Sequence, residues 1–181
     1  KIPLPPLDIQ QKIVQECEVL DQSARISESE ISNLHKQVAQ VIEQAQGTMT
    51  KLIDVTTKIG SGATPKGGES AYKDSGITLI RSQNVYDGAF LEKGLAFIDD
   101  EQAKKLENVT VESQDVLFNI TGASVARCCV VQDKYLPARV NQHVAIIRAN
   151  SEVLLPKFLQ AVLVSKDYKA QLLNLAGGAN T

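Results

Sequence analysis

Amide, hydroxyl and guanidinium side chains gather where the chain is expected to turn. Thr64, Lys66, Ser82, Gln83, Asn84, Asn119, Thr121, Ser124, Arg127, Asn141 and Gln142 all fall in or beside such stretches. These are the groups that read base edges and hold phosphates: Arg pairs with guanine, Asn or Gln with adenine, Ser or Thr with either. They are also the groups that stabilise turns. From composition alone the turn reading is the stronger of the two.

Patterns for catalysis fail on the residue that carries the chemistry. Gly60-x-Gly62 has no third glycine at the dinucleotide spacing. Gly62 and Gly67 have the P-loop separation, but Gly68 stands where a lysine must reach phosphate. There is no GxSxG, no HExxH, no Asn-Pro-Pro-aromatic tetrapeptide of adenine methylation and no helicase motif. His143, in Val140-Asn141-Gln142-His143-Val144, lacks a matched nucleophile and reads as a structural hydrogen-bonding group. His35 reads as a solvated or interface histidine. Cys128 and Cys129 are adjacent, so neither belongs to a CxxC, and in a strand they would point to opposite faces. With Cys17 they read as packing residues in a reducing compartment, not as a zinc site or disulfide framework. The chain is expected to be no enzyme and to hold no metal or cofactor.

The elements that must position these groups divide the chain in two. Of its 181 residues 43% are apolar, enough for a core, and 4% are aromatic, so that core is aliphatic. The net charge of −2 excludes a strongly basic protein that coats nucleic acid without specificity. No apolar run approaches the ~18–20 residues of a membrane span. The chain opens Lys1-Ile2-Pro3, without an initiator Met or apolar leader, and is expected to be a piece of something longer. Residues 1–50 carry a net −3 and residues 51–181 a net +1.

Residues 8–46 contain neither Gly nor Pro. Ile2-Pro3-Leu4-Pro5-Pro6-Leu7 must be extended, Asp8 stands as an N-cap with Gln11 at capping-box spacing, and Gln46-Gly47 offers a stop. One helix of about 39 residues, about 58 Å long, is expected between them. Alternating steps of four and three from Ile13 meet Cys17, Leu20, Ala24, Ser27, Ile31, Leu34, Val38, Val41 and Ala45, and only Ser27 breaks the stripe. That is a coiled-coil seam. A 130-residue body is only about 36 Å across, so the overhanging seam needs a partner helix.

Residues 51–181 read as a compact mixed domain. Gly60–Gly68 is a loop, and strands are expected at Gly76–Ser82, Asp115–Ile120, Arg127–Val131 and Val144–Arg148. Asp87-Gly88 marks a turn. Helices are expected at Asp99–Asn108, from Leu155 to Leu163 with Pro156 in the first turn, and at Asp167–Leu175, stopping at Gly177-Gly178. Strands in the middle and helices at the flanks make the class α+β: a long coiled-coil helix followed by a mixed α/β domain.

The order of these segments resembles the specificity subunit (HsdS) of type I restriction–modification systems. Leu4-Pro5-Pro6-Leu7-Asp8-Ile9-Gln10-Gln11-Lys12-Ile13 is similar to the lead into the family's conserved helix. Leu52-Ile53-Asp54-Val55, Gly62-Ala63-Thr64-Pro65 and Ile80-Arg81-Ser82-Gln83-Asn84-Val85 resemble successive blocks of its target recognition domain. So do Asp115–Ser124 and Val140–Ala145, and Gly177-Gly178 fits the loop near that domain's end. Each block is weak; their order and spacing are specific. A full subunit of the family has two recognition domains and two helices, whereas this chain has one of each, helix first. It resembles the central helix plus second recognition domain, or a half-size variant.

The resemblance implies a spacer helix at 1–50, for dimerisation and methyltransferase docking, and a target recognition domain at 51–181. It implies a cytoplasmic, non-catalytic subunit that reads half of a bipartite double-stranded DNA target. Its partners would be methyltransferase subunits carrying S-adenosylmethionine, a restriction subunit, and a second copy or second half through antiparallel helix pairing. Blocks shared by members with different targets cannot encode the target, so Asn119-Thr121-Gly122 and Asn141-Gln142-His143 are expected to shape loops or hold phosphate. The DNA-binding residues expected are Thr64, Lys66, Lys73, Arg81, Gln83, Asn84, Ser124, Arg127 and Arg139. A non-catalytic adaptor, with a coiled coil and a protein- or glycan-binding domain, stays open beside this; co-purification with a methyltransferase separates the two.

Overall fold

The strands that build the centre of the domain are short apolar runs buried on both faces. The computed structural model describes residues 49–178, with Ser27, Ser29, Glu30, Ser32, Asn33, Lys36, Gln37 and Gln40 before them. The chain divides into two units, Lys1–Ala45 and Gln46–Thr181. The eight described residues of the first are helical and exposed. The seam residues Ile13, Cys17, Leu20, Ala24, Ile31, Leu34, Val38, Val41 and Ala45 lie outside the described residues, as does His35.

The second unit is mixed α and β. One antiparallel sheet has the order β1 (Thr56–Ser61), β10 (Val144–Ala149), β7 (Val116–Asn119), β8 (Cys128–Val130). A second has the order β5 (Ala96–Ile98), β2 (Ile77–Ile80), β9 (Ala138–Val140), β6 (Thr110–Val111), in which β2 and β9 run parallel. A hairpin, β3 (Val85–Tyr86) and β4 (Ala89–Phe90), closes through Asp87-Gly88, with Gly88 at φ 71° as a two-residue turn requires. Three α-helices complete it: α1 (Asp100–Lys105), α2 (Pro156–Val164) and α3 (Lys166–Gly178).

The first sheet is a middle layer. Leu117, Cys129, Val144 and Ile146 face Leu79, Ile80, Ile98 and Val140 of the second sheet. Val116, Cys128, Val130 and Ile147 face Leu159 and Leu163 of α2. The adjacent cysteines thus enter two different cores, and burial pushes both thiols up to about 12. They are inert packing groups.

Between the two sheets a charge is buried and answered. Asp115 is fully buried; its oxygens accept from Arg148 Nε at 2.8 Å and Nη2 at 2.9 Å, and from the Glu112 amide at 2.7 Å. Arg148 also donates to the Thr110 carbonyl at 3.1 Å and pairs with Glu112. The Asp115 bond raises its already high pKa further.

Several expectations change. Gly60 and Ser61 belong to β1, not to a loop, because β10 pairs them with Ile146 and Ala145. The helix expected over Asp99–Asn108 ends at Lys105. Asp99 caps it by accepting from Gln102 at 2.9 Å, and a 3-10 turn over Glu107–Val109 follows. The last helix runs through Gly177 and Gly178 instead of stopping before them. Strands β6 and β9 have too few residues to show a period; their partners create them.

Candidate nucleic-acid interface

Three buried asparagines shape the loops at one end of the sheets. Asn84, fully buried, accepts from the Arg81 amide at 3.1 Å and donates to the Leu91 carbonyl at 2.9 Å. Asn119, also fully buried, donates to the Ser82 carbonyl at 2.9 Å and so ties the end of β7 to the turn after β2. Asn141 accepts from the His143 amide at 3.1 Å. Asn84 and Asn141 complete local turns as a backbone group would, and Asn119 makes a long-range tie.

The connection between β9 and β10 carries a hydrogen-bonded relay. The Thr64 hydroxyl donates to Gln142 Oε1. Gln142 Nε2 lies 2.9 Å from His143 Nε2, and His143 Nδ1 lies 2.6 Å from the Thr121 hydroxyl. An amide nitrogen only donates, so His143 Nε2 accepts and its Nδ1–H donates to Thr121. Thr121 therefore keeps its own proton to give elsewhere.

Arg127 stands where the β7–β8 ladder breaks. The Asn119 amide donates to the Arg127 carbonyl at 2.9 Å and the Ala126 amide to the Asn119 carbonyl at 2.9 Å, so two residues oppose one. Ala126, at φ 65°, is in the left-handed region. This is a β-bulge, which re-aims the side chain that follows. The Arg127 guanidinium lies 4.5 Å from the centroid of the Tyr86 ring, stacked on its face. Ser82, Gln83, Tyr86, Thr121, Gly122, Ala123, Ser124, Arg127 and His143 together line an open cleft of about 510 Å³. No lining residue is an acid.

Of the residues expected to bind DNA, Gln83, Ser124 and Arg127 meet in this cleft, and Thr64 reaches it through the relay. Lys66 is exposed outside the lining, and Lys73 is paired with Asp99 at 3.4 Å. Three others are engaged within the fold. Asn84 is buried and committed to its turn. Arg81 donates to the Gly94 carbonyl at 2.6 Å, pairs with Glu69 at 3.4 Å and lies 5.1 Å from the Tyr72 ring centroid. Its terminal nitrogens thus tie the Glu69 and Gly94 loops to its own, while its Nε is buried without a partner. Arg139 donates to the Ala103 and Ala138 carbonyls at 3.1 and 3.0 Å. Sequence reasoning missed Tyr86 as part of the site. The signal was its place beside the Asp87-Gly88 turn, where Val85 turns inward and Tyr86 outward. Among the described residues no group of His, Cys, Asp or Glu is arranged to hold a metal, and no helix is long and apolar enough to cross a membrane.

No protein-family model matches the sequence, and no curated protein matches it. The fold has solved counterparts. It is similar to the crystal structure of the HsdS subunit from Thermoanaerobacter tengcongensis, with a TM-score of 0.50 and 18% identity over 94% of this chain and 44% of that one. It is equally similar, with a TM-score of 0.50 and 19% identity over 97% of this chain and 44% of the other, to a structure concerned with complex assembly and conformational transition of the type I R-M system. This chain spans under half the length of either.

Proposed function

We propose that this chain is a DNA-recognition unit of the type I restriction–modification kind, one target recognition domain preceded by a spacer helix. The observation that carries the reading is the fold likeness to HsdS over nearly the whole chain. The matching order of sequence blocks and the acid-free cleft agree with it. In this reading residues 51–181 read one half of a bipartite double-stranded target. Residues 1–50 form the spacer, pairing antiparallel through Ile13, Leu20, Ile31, Leu34, Val38 and Val41 with a second copy or second half. The chain performs no catalysis. Methyltransferase subunits supply S-adenosylmethionine, a restriction subunit joins them, and the assembly works in the cytoplasm. Base readers are sought among Thr64, Lys66, Gln83 and Ser124, whose side chains are not buried. Selection of bound duplexes from a random pool, with the methyltransferase present, tests the reading. Enrichment of a split sequence with a fixed gap is expected; recovery of no sequence overturns it.

A further inference from the structure

We propose that the cleft between the Ser82–Asn84 turn and the β7–β8 loop clamps one backbone phosphate of duplex DNA. Arg127 supplies the charge, Thr121 a second donor, and Tyr86 is the positioning residue. The proposal rests on the DNA-recognition reading and deepens it, because it makes Arg127 an anchor and not a base reader.

Three observations converge on this. The first is shape. Base edges lie inside a groove and are met by side chains that protrude, whereas phosphates stand along the ridges of the duplex. Arg127 is half-buried in a recess, laid against Tyr86. A recess receives a ridge. The second is donor balance. Arg81, Arg139 and Arg148 all give N–H groups to carbonyls or carboxylates within the fold. Among the described residues, no acceptor takes the side-chain N–H groups of Arg127; stacking occupies its face and leaves its edge of donors available. With no acid in the lining, the cleft favours an anion that only accepts. The third is preorganisation. The bulge at Ala126 aims Arg127, and the relay from Thr64 through Gln142 and His143 leaves the Thr121 proton free to donate into the same space. A rigid cation and a hydroxyl, held before binding, suit a phosphodiester oxygen pair.

The test uses the full chain, wild type and with Arg127→Gln, Arg127→Lys, Thr121→Val or Tyr86→Leu. Each is titrated at several salt concentrations against a random-sequence duplex and against the duplex enriched by the wild type. Thermal melts check folding. Arg127→Gln is expected to weaken both duplexes alike, about five- to tenfold at low salt, and to reduce the slope of log K against log salt by about 1. Arg127→Lys keeps the slope and loses less, because it keeps the charge but not the fork. Thr121→Val weakens both about two- to threefold with the slope unchanged. Tyr86→Leu reproduces part of the Arg127→Gln loss; if it unfolds, the other three variants decide. Inorganic phosphate at matched ionic strength should not displace the duplex, and displacement would mark a free-anion pocket and overturn the clamp. A loss confined to the enriched duplex, or an unchanged slope in Arg127→Gln, also overturns it. A wild-type chain that binds no duplex overturns the recognition reading itself.

Discussion

Four arginines of similar sequence appearance have four different fates. Arg148 is locked to a buried carboxylate, Arg81 staples loops, Arg139 caps carbonyls, and Arg127 rests on a ring with its donors available. The Arg148 pair has the largest consequence for stability. Asp115→Asn removes the buried carboxylate and leaves the guanidinium only its pair with the exposed Glu112, and is expected to cost about 3 kcal/mol, read as a lowered Tm or denaturant midpoint. Glu92 governs a milder, pH-dependent effect. Hydrogen bonds from Lys134 at 2.5 Å and from Tyr135 at 2.7 Å hold its carboxyl below the ordinary glutamate value. Asp99 is lowered too, chiefly by the Gln102 amide. A depressed folded-state pKa favours folding above the unfolded value, about 4.3 for Glu, and that gain is lost as pH falls through the folded value. The wild-type Tm should therefore exceed that of Glu92→Gln at pH 6, and the gap should close on the acid side of pH 4. A gap that persists at pH 3 would assign the difference to packing.

Strands are legible where an unbroken apolar run can be buried on both faces, and invisible where the run is too short. β7, β8 and β10 announce themselves, and the Cys128-Cys129 pair is readable as one thiol per face before either core is known. β6 and β9 are not readable, since pairing with distant partners, not their own pattern, makes them strands. Gly62 shows the same limit. In the sequence it is half of a failed nucleotide motif, yet its role is close approach: an added Cβ would lie 1.7 Å from the Val140 carbonyl oxygen. Its amide donates to the Asn141 carbonyl at 3.2 Å and seats the Thr64 loop against the relay. Gly62→Ala is expected to destabilise the domain by about 2–4 kcal/mol, measured by chemical denaturation, because backbone cannot move aside as a side chain can.

At the scale of the molecule, the proposed spacer helix sets what the domain could do alone and in company. Formed as the proposed helix, the 3.5-residue stripe from Ile13 to Ala45 would need an apolar partner over a length greater than the ~36 Å expected of a 130-residue body. If it is a ruler, its length bounds the gap between half-sites at about 17 base pairs. Removing one heptad between Ile31 and Val38 shortens the rod by about 10 Å, or about three base pairs. Duplex selection with that deletion should return the same half-site at a different spacing. An unchanged spacing would show that the helix does not measure the DNA.

Composition and short-range pattern determined the aliphatic core, the short helix that starts at Asp99 and the Asp87-Gly88 turn. Each depends on residues within a few positions of one another, so a linear string contains it. Tertiary structure alone decided that residues 82–86, 121–127 and 143 share one cleft, and which arginine reaches it unpaired. Those outcomes depend on partners tens of residues away, and a guanidinium's chemistry is set by whatever the fold packs against it.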